Sequence, residues 1–195
     1  IWDDEILYLD NKYINIASKI DTISNQVVFE LYSLYLKDLN FLFDGKVKID
    51  YFNEKIDYYG NFYYENLQSN INVEMTKKIA KFYLVSEPFK SLKFLKNFLH
   101  LPNIAESWMY DNVKGDIKIE ELYAEYDLIN NHIIENSIQG KAQIKDAKIR
   151  FHKDVDAVNT KSLDIFFKDN RLHFNLMEPM FKDKKLDGSF VLINN

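Results

Sequence analysis

A chain of 195 residues, 47% of them hydrophobic, can bury a sizeable core as one domain, or as two repeated units fused into one sheet. Its net charge of −5 argues against a nucleic-acid partner, since a phosphate-binding surface needs clustered Lys and Arg. With no cysteine, disulfides, thiolate catalysis and Cys-ligated metals are excluded, while the redox compartment stays open.

The opening "IWDDEILYLD" has neither an initiator methionine nor a basic-then-apolar leader, so the chain reads as a piece excised from a longer protein. Period-2 patterning then predicts strands near 5–10, 12–20 and 26–38. A hairpin follows over 39–44 and 46–53, turning at Asp44-Gly45, a dipeptide that two-residue turns favour. Further strands are predicted near 55–65, 67–76 and 78–86. In "LQSNINVEM" the alternation is clean: Leu67, Ile71, Val73 and Met75 share one face, and Gln68, Asn70, Asn72 and Glu74 the other. From Ser91 to Asn112 the pattern changes to helical, and two short helices joined at Pro102 are expected. Gly115 ends that insertion, and strands near 115–127, 134–152, 161–168, 171–177 and 185–194 complete the chain. Asn53-Glu54, Asn130-Asn131 and Asp169-Asn170 supply turns. One β domain results, with a first unit over 1–87, a helical insertion over 88–114 and a second unit over 115–195.

Two stretches read as one pattern written twice. In "LNFLFDGKVKIDY" Leu39, Phe41, Phe43, Val47, Ile49 and Tyr51 occupy alternate positions; in "LDIFFKDNRLHFNL" Leu163, Ile165, Phe167, Leu172, Phe174 and Leu176 do the same. "YYGNFYY" and "LDGSFVL" also correspond, with Gly60, Phe62 and Tyr64 against Gly188, Phe190 and Leu192. Repetition of a plain hairpin extends a surface along one axis. Two short helices cannot cover a sheet of a dozen such strands. Its apolar face must therefore close on itself as a sandwich or barrel, or bend into an open trough that meets an apolar ligand. The repeat favours the trough: a mostly β, long antiparallel twisted sheet curled into an open hydrophobic groove. Its expected lining is the twelve positions just named together with Tyr58, Phe62, Tyr64, Ile71, Val73, Phe190 and Leu192.

Residues with chemistry are scattered. His100, His132, His152 and His173 have no HExxH or HxH spacing, so no metal or other cofactor is implied. Adjacent carboxylates such as Glu120-Glu121 point to opposite faces of a strand, which prevents shared acid–base work. No nucleophile elbow, P-loop or dinucleotide fingerprint occurs. The expectation is a binding segment rather than an enzyme.

A short Trp-bearing helix, a glycine and a long amphipathic strand in "AESWMYDNVKGDIKIEELYAEYDL", followed by the series "LDIFFKDNRLHFNLMEPMFKDKKLDGSFVLIN", resemble the AsmA-like proteins of diderm bacteria, in particular their DUF3971-type region. The resemblance covers about residues 36 to 194 and rests on apolar and turn positions, with no catalytic residue to carry over. It implies a periplasmic part of an inner-membrane-anchored envelope protein, a bridge-like lipid-transfer groove. It also implies phospholipid or another acyl-chain lipid as partner, a role in phospholipid transport toward the outer membrane and in envelope integrity, and membrane attachment through segments outside this chain. The alternative from the residues alone is a closed β-sandwich acting as a structural or protein-interaction module.

Overall fold

β-Branched and aromatic residues at alternate positions, with polar reversals between them, give the described residues a mostly β structure. The computed structural model describes residues 2–3, 6–91, 93, 108–152, 154–169, 171–187 and 190–194, leaving aside the side chains of 2, 3, 108, 109, 135 and 190–194. The strands among them are β1 (Trp2–Asp3), β2 (Ile6–Asp10), β3 (Ile14–Ile23), β4 (Gln26–Leu36), β5 (Phe41–Asp50), β6 (Lys55–Tyr64), β7 (Leu67–Met75) and β8 (Ile79–Ser86), then β9 (Val113–Asp127), β10 (His132–Ile133), β11 (Gln139–Ile149), β12 (Val158–Lys168), β13 (Arg171–Met177), β14 (Met180–Phe181), β15 (Lys184–Lys185) and β16 (Phe190–Asn194). Hydrogen-bonded neighbours follow the order β1 to β9, then β11, β12, β13 and β16, in one long antiparallel sheet. Among the described residues its end strands do not pair with each other, so it is not closed into a barrel. No helix of the described residues is long and apolar enough to cross a membrane.

The chain divides into two compact units, Ile1–Glu87 with Glu121–Ile138, and Pro88–Glu120 with Gln139–Asn195. The second half of the long strand β9 thus belongs to the first unit, where it pairs with β8 from Ile79↔Asp127 to Leu84↔Leu122.

Three expectations are corrected. Asp44-Gly45 is not a turn: residues 41–50 form the single strand β5, in which Gly45 pairs with Gly60 on one side and Leu31 on the other. Phe41, Phe43, Val47 and Ile49 share one parity, so an unbroken strand keeps all four on one face, and the Asp44 carboxylate is held mid-strand by Asn61 and Tyr63. The second copy, by contrast, is a true hairpin, β12 turning into β13 with Asp169 at φ 52°. The strand expected over 134–152 shortens to β11, because Glu135–Ser137 form a 3-10 turn in which the Ser137 hydroxyl donates to the Ile134 carbonyl. The strand expected over 185–194 is replaced by β15 and β16. Of the two expected helices, residues 92 and 94–107 lie outside the described residues; the described end of that segment, Trp108–Asn112, is a single π turn.

Candidate functional site

Cross-strand register in the first unit places the same kind of residue opposite itself in strand after strand. One row runs Ile20, Phe29, Val47, Tyr58, Val73, Phe82 and Ala124; the next runs Thr22, Val27, Ile49, Ile56, Met75, Ala80 and Tyr126. A third joins Ile16, Leu34, Phe43, Phe62, Ser69 and Ser86. From β2 to β9 every strand position of this face in the first unit is uncharged, and its only polar side chains beyond tyrosine are the hydroxyls of Ser18, Thr22, Ser69 and Ser86. The opposite face carries the charges: Lys48, Asp57, Glu74, Lys81 and Glu125 form one row across it, and the Lys55 ammonium lies 3.0 Å from Asp57 and 3.1 Å from Glu74. Hydrogen bonding to Asp57 and then Glu74 raises the Lys55 pKa.

What distinguishes the apolar face is its exposure. Phe41, Phe43, Val47, Ile49, Tyr58, Phe62, Ile71, Val73, Phe82 and Leu84 are half-buried, whereas a side chain packed between two layers is normally buried, as Leu31, Tyr64, Leu67 and Ala80 of the same face are. Its centre is aromatic: Phe62 stands 5.1 Å from both Phe41 and Phe43, Phe41 lies 5.1 Å from Tyr64, and Phe43 lies 6.0 Å from Tyr58, mostly edge to face.

A kink crosses this face. In β4 the extra residue Tyr32 opens a bulge, after which the apolar parity switches from Val27, Phe29 and Leu31 to Leu34 and Leu36. The row through the bulge continues as Ser18, Leu31, Gly45 and Gly60. Gly45 has φ 134°, and a Cβ there would fall on the Tyr59 carbonyl oxygen; one at Gly60 would fall on the Asp44 carbonyl oxygen. The ring of Tyr58 reaches over this pair, its hydroxyl donating to the carbonyl oxygens of Asp44 and Asn61, 2.8 Å from each. Burial raises the Tyr58 pKa, so the phenol stays protonated as a donor. Behind it, Asn61 Nδ2 donates to the Asp44 carboxylate at 2.7 Å and the Tyr63 hydroxyl donates to it at 3.0 Å.

In the second unit the register likewise aligns Ile144, Leu163 and Leu176, and Ala142, Ile165 and Phe174, but here much of the face is covered: Leu163 is 0% and Phe174 3% exposed. Leu176, Ile144, Ile149, Val158 and Ile117 are buried too, while Ile165, Phe167 and Leu172 remain half-buried.

Of the lining expected from the sequence, Phe41, Phe43, Val47, Ile49, Tyr58, Phe62, Tyr64, Ile71 and Val73 share the apolar face of the first unit. Leu163, Ile165, Phe167, Leu172, Phe174 and Leu176 share that of the second. Leu39 and Tyr51 lie in turns, off the strand face. Phe190 and Leu192 pair with Asn175 and His173, the polar positions of β13, rather than with its apolar ones; their side chains lie outside the described residues. Sequence reasoning missed the contributions of β2–β4, β8 and β9, including Ile16, Phe29, Leu34, Phe82 and Leu122. The parity switch in "VVFELYSLYL" was the available signal, since an alternation that changes phase once marks a bulge. His132, His152 and His173 are exposed and separate, and His100 lies outside the described residues. Comparison with family models, with curated proteins and with solved structures gives no match.

Proposed function

We propose that the chain is a lipid-handling segment of an AsmA-like, inner-membrane-anchored envelope protein, located in the periplasm. On this reading it shelters the acyl chains of phospholipids in an open β-groove during transport toward the outer membrane and performs no covalent chemistry. One observation carries the reading: across eight strands the first unit presents a face without a charge, and most side chains on it are only half-buried, although Leu31, Tyr64, Leu67 and Ala80 are buried. Apolar surface left in that state gains from any apolar ligand, at about 0.8 kcal/mol per sheltered CH₂, and near-equivalent rows along the face allow a chain to slide. Head groups would stay at the ends of the strands, toward water.

The test is capture of a fluorescent phospholipid by the purified chain, with mass spectrometry of co-purifying lipid. Ile71→Asp and Val73→Asp, which place a charge in the face, are expected to reduce capture at least tenfold while the fold persists. Capture unchanged in both variants would remove the apolar face from the function. A second reading, a structural or protein-interaction module, is favoured by the second unit, where burial of Leu163, Phe174 and Ile149 points to packing rather than to ligand. It predicts that the chain carries no lipid at all.

A further inference from the structure

The reversals that join β3 to β4, β5 to β6, β7 to β8 and β9 to β10 all lie at one end of the first unit's strands, as the pairs Gln26↔Asp50, Ile56↔Met75 and Ile79↔Asp127 require. Large apolar side chains stand out at that rim: Phe52 is 81%, Tyr51 66%, Ile129 62% and Ile23 61% exposed. Two of the turns are the same device. In "DYFNE" the Asp50 carboxylate accepts the N–H of Phe52 at 3.0 Å and of Asn53 at 2.9 Å, and the Asn53 side-chain amide at 3.0 Å. In "DLINN" Asp127 accepts the N–H of Ile129 at 2.8 Å and of Asn130 at 3.0 Å, and the Asn130 side-chain amide at 2.9 Å. Each motif closes on a residue of positive φ, Glu54 or Asn131, and each lifts one apolar side chain, Phe52 or Ile129, off the sheet. Between them the β7–β8 turn carries Lys77 and Lys78, its backbone held by the Thr76 hydroxyl.

We propose that this rim docks on the surface of a phospholipid bilayer, with Phe52 and Ile129 entering the headgroup boundary, Tyr51 at the interface and Lys78 toward lipid phosphate. The inference rests on the lipid-handling reading and adds the place where lipid enters. A protein partner would meet a contiguous apolar patch with a dry centre. Here the apolar groups are divided among separate turns, Tyr51 with Phe52 on one, Ile129 on another and Ile23 beside a third, with Asn25, Asn53 and Asn130 between them, an arrangement suited to a fluid surface that closes around each one. The carboxylate clamps order the turns in advance, so docking loses little chain entropy. The rim also borders the row Ile49, Ile56, Met75, Ala80 and Tyr126, so an acyl chain leaving the bilayer there meets the apolar face at once.

The experiment has two arms on the whole chain: flotation with vesicles of phosphatidylcholine and phosphatidylglycerol, and capture of a short-chain fluorescent phospholipid supplied as monomer. Phe52→Ser and Ile129→Ser are each expected to lower the bound-to-free ratio on vesicles about tenfold. Phe52→Trp should keep it, and Tyr13→Ser, at the opposite rim, should leave it unchanged. Monomer capture should be the same in all four. Vesicle binding unchanged in both serine variants overturns the proposal, as does binding that high salt alone abolishes. A parent chain that captures monomer yet ignores vesicles overturns the docking rim while sparing the lipid reading; one that does neither sinks both. Concentration-dependent dimers lost in the serine variants would assign the rim to a second copy of the chain instead.

Discussion

The two units are built from the same alternating strands and end in different states. In the first, most of the uncharged face from β2 to β9 is half-buried, with Leu31, Tyr64, Leu67 and Ala80 buried; in the second, the equivalent face closes to 0% exposure at Leu163 and 3% at Phe174. Each is also interrupted by a glycine in close approach: Gly45 against Gly60 in the first, and in the second Gly115, whose added Cβ would lie 2.6 Å from Ile144 Cγ2 and from the Lys145 carbonyl oxygen. Alternation therefore decides which side chains share a face and says nothing about what that face meets. The difference separates a unit whose apolar face stays partly open from one in which Leu163 and Phe174 are covered.

The sharpest way to break this comparison is to put the same charge into both faces. Leu163→Asp or Phe174→Asp buries a carboxylate with no partner, and a loss of about 4 kcal/mol or more, enough to unfold a marginal domain, is expected in urea unfolding. Ile71→Asp leaves the carboxylate reachable by water, and a loss of about 1 kcal/mol is expected. Equal losses at the two positions would mean that the faces do not differ.

A smaller effect tests the kink of the first unit. Gly60→Ala forces a methyl group onto the Asp44 carbonyl oxygen, which can move only by opening the β5–β6 ladder, at a cost of about 2 kcal/mol or more. Tyr58→Phe keeps the ring over the glycines and removes only the hydroxyl's hydrogen bonds to Asp44 and Asn61, at about 1 kcal/mol. Thermal melts of the two variants give the ranking; a Tyr58→Phe loss as large as that of Gly60→Ala would shift the weight of the kink from the backbone contact to the phenol.

Much of the face was legible in the sequence because period-2 alternation maps directly onto register. Phe41, Phe43, Val47, Ile49, Ile71 and Val73 fall together for that reason alone. Asp44-Gly45 carries the local chemistry of a turn, yet the parity of Phe41, Phe43, Val47 and Ile49 runs unbroken through it. A glycine that admits a neighbouring backbone and a glycine that turns the chain look alike from within one strand, and only the partner Gly60 tells them apart. The coverage of Leu163 and Phe174 could not be read at all, since "LDIFF" carries the same alternation as "LNFLF". Phe52 falls in the strand expected over 46–53 and Ile129 beside the turn expected at Asn130-Asn131; the shared Asp-x-apolar-Asn spacing is the signal that sets both in turns.

The smallest expected effect concerns acid. Asp10, Asp50 and Asp127 all lie in the first unit, and all have pKa values below the ordinary carboxylate range. Asp50 is lowered to about 2, first by the Asn53 backbone N–H and then by Gln26 and the Asn53 side chain; Asp127 is lowered chiefly by the backbone and side chain of Asn130. A folded-state pKa below the unfolded value of about 3.9 means that the unfolded chain binds more protons in that window. The stabilisation is therefore fully present above about pH 4 and is lost as pH falls toward 2, when the clamped turns lose the charged acceptor that holds Phe52 and Ile129 in place. Both residues are only half-buried, so solvent screens the effect and a modest shift of the melting temperature is expected rather than unfolding. Asp50→Asn and Asp127→Asn together should flatten that acid limb, and nuclear magnetic resonance of the parent should show the amides of 51–54 and 128–131 responding before those of β11–β13. An acid limb equally steep in the double variant, or a second unit that responds first, would remove the clamps as the source of acid sensitivity and with them this difference between the units.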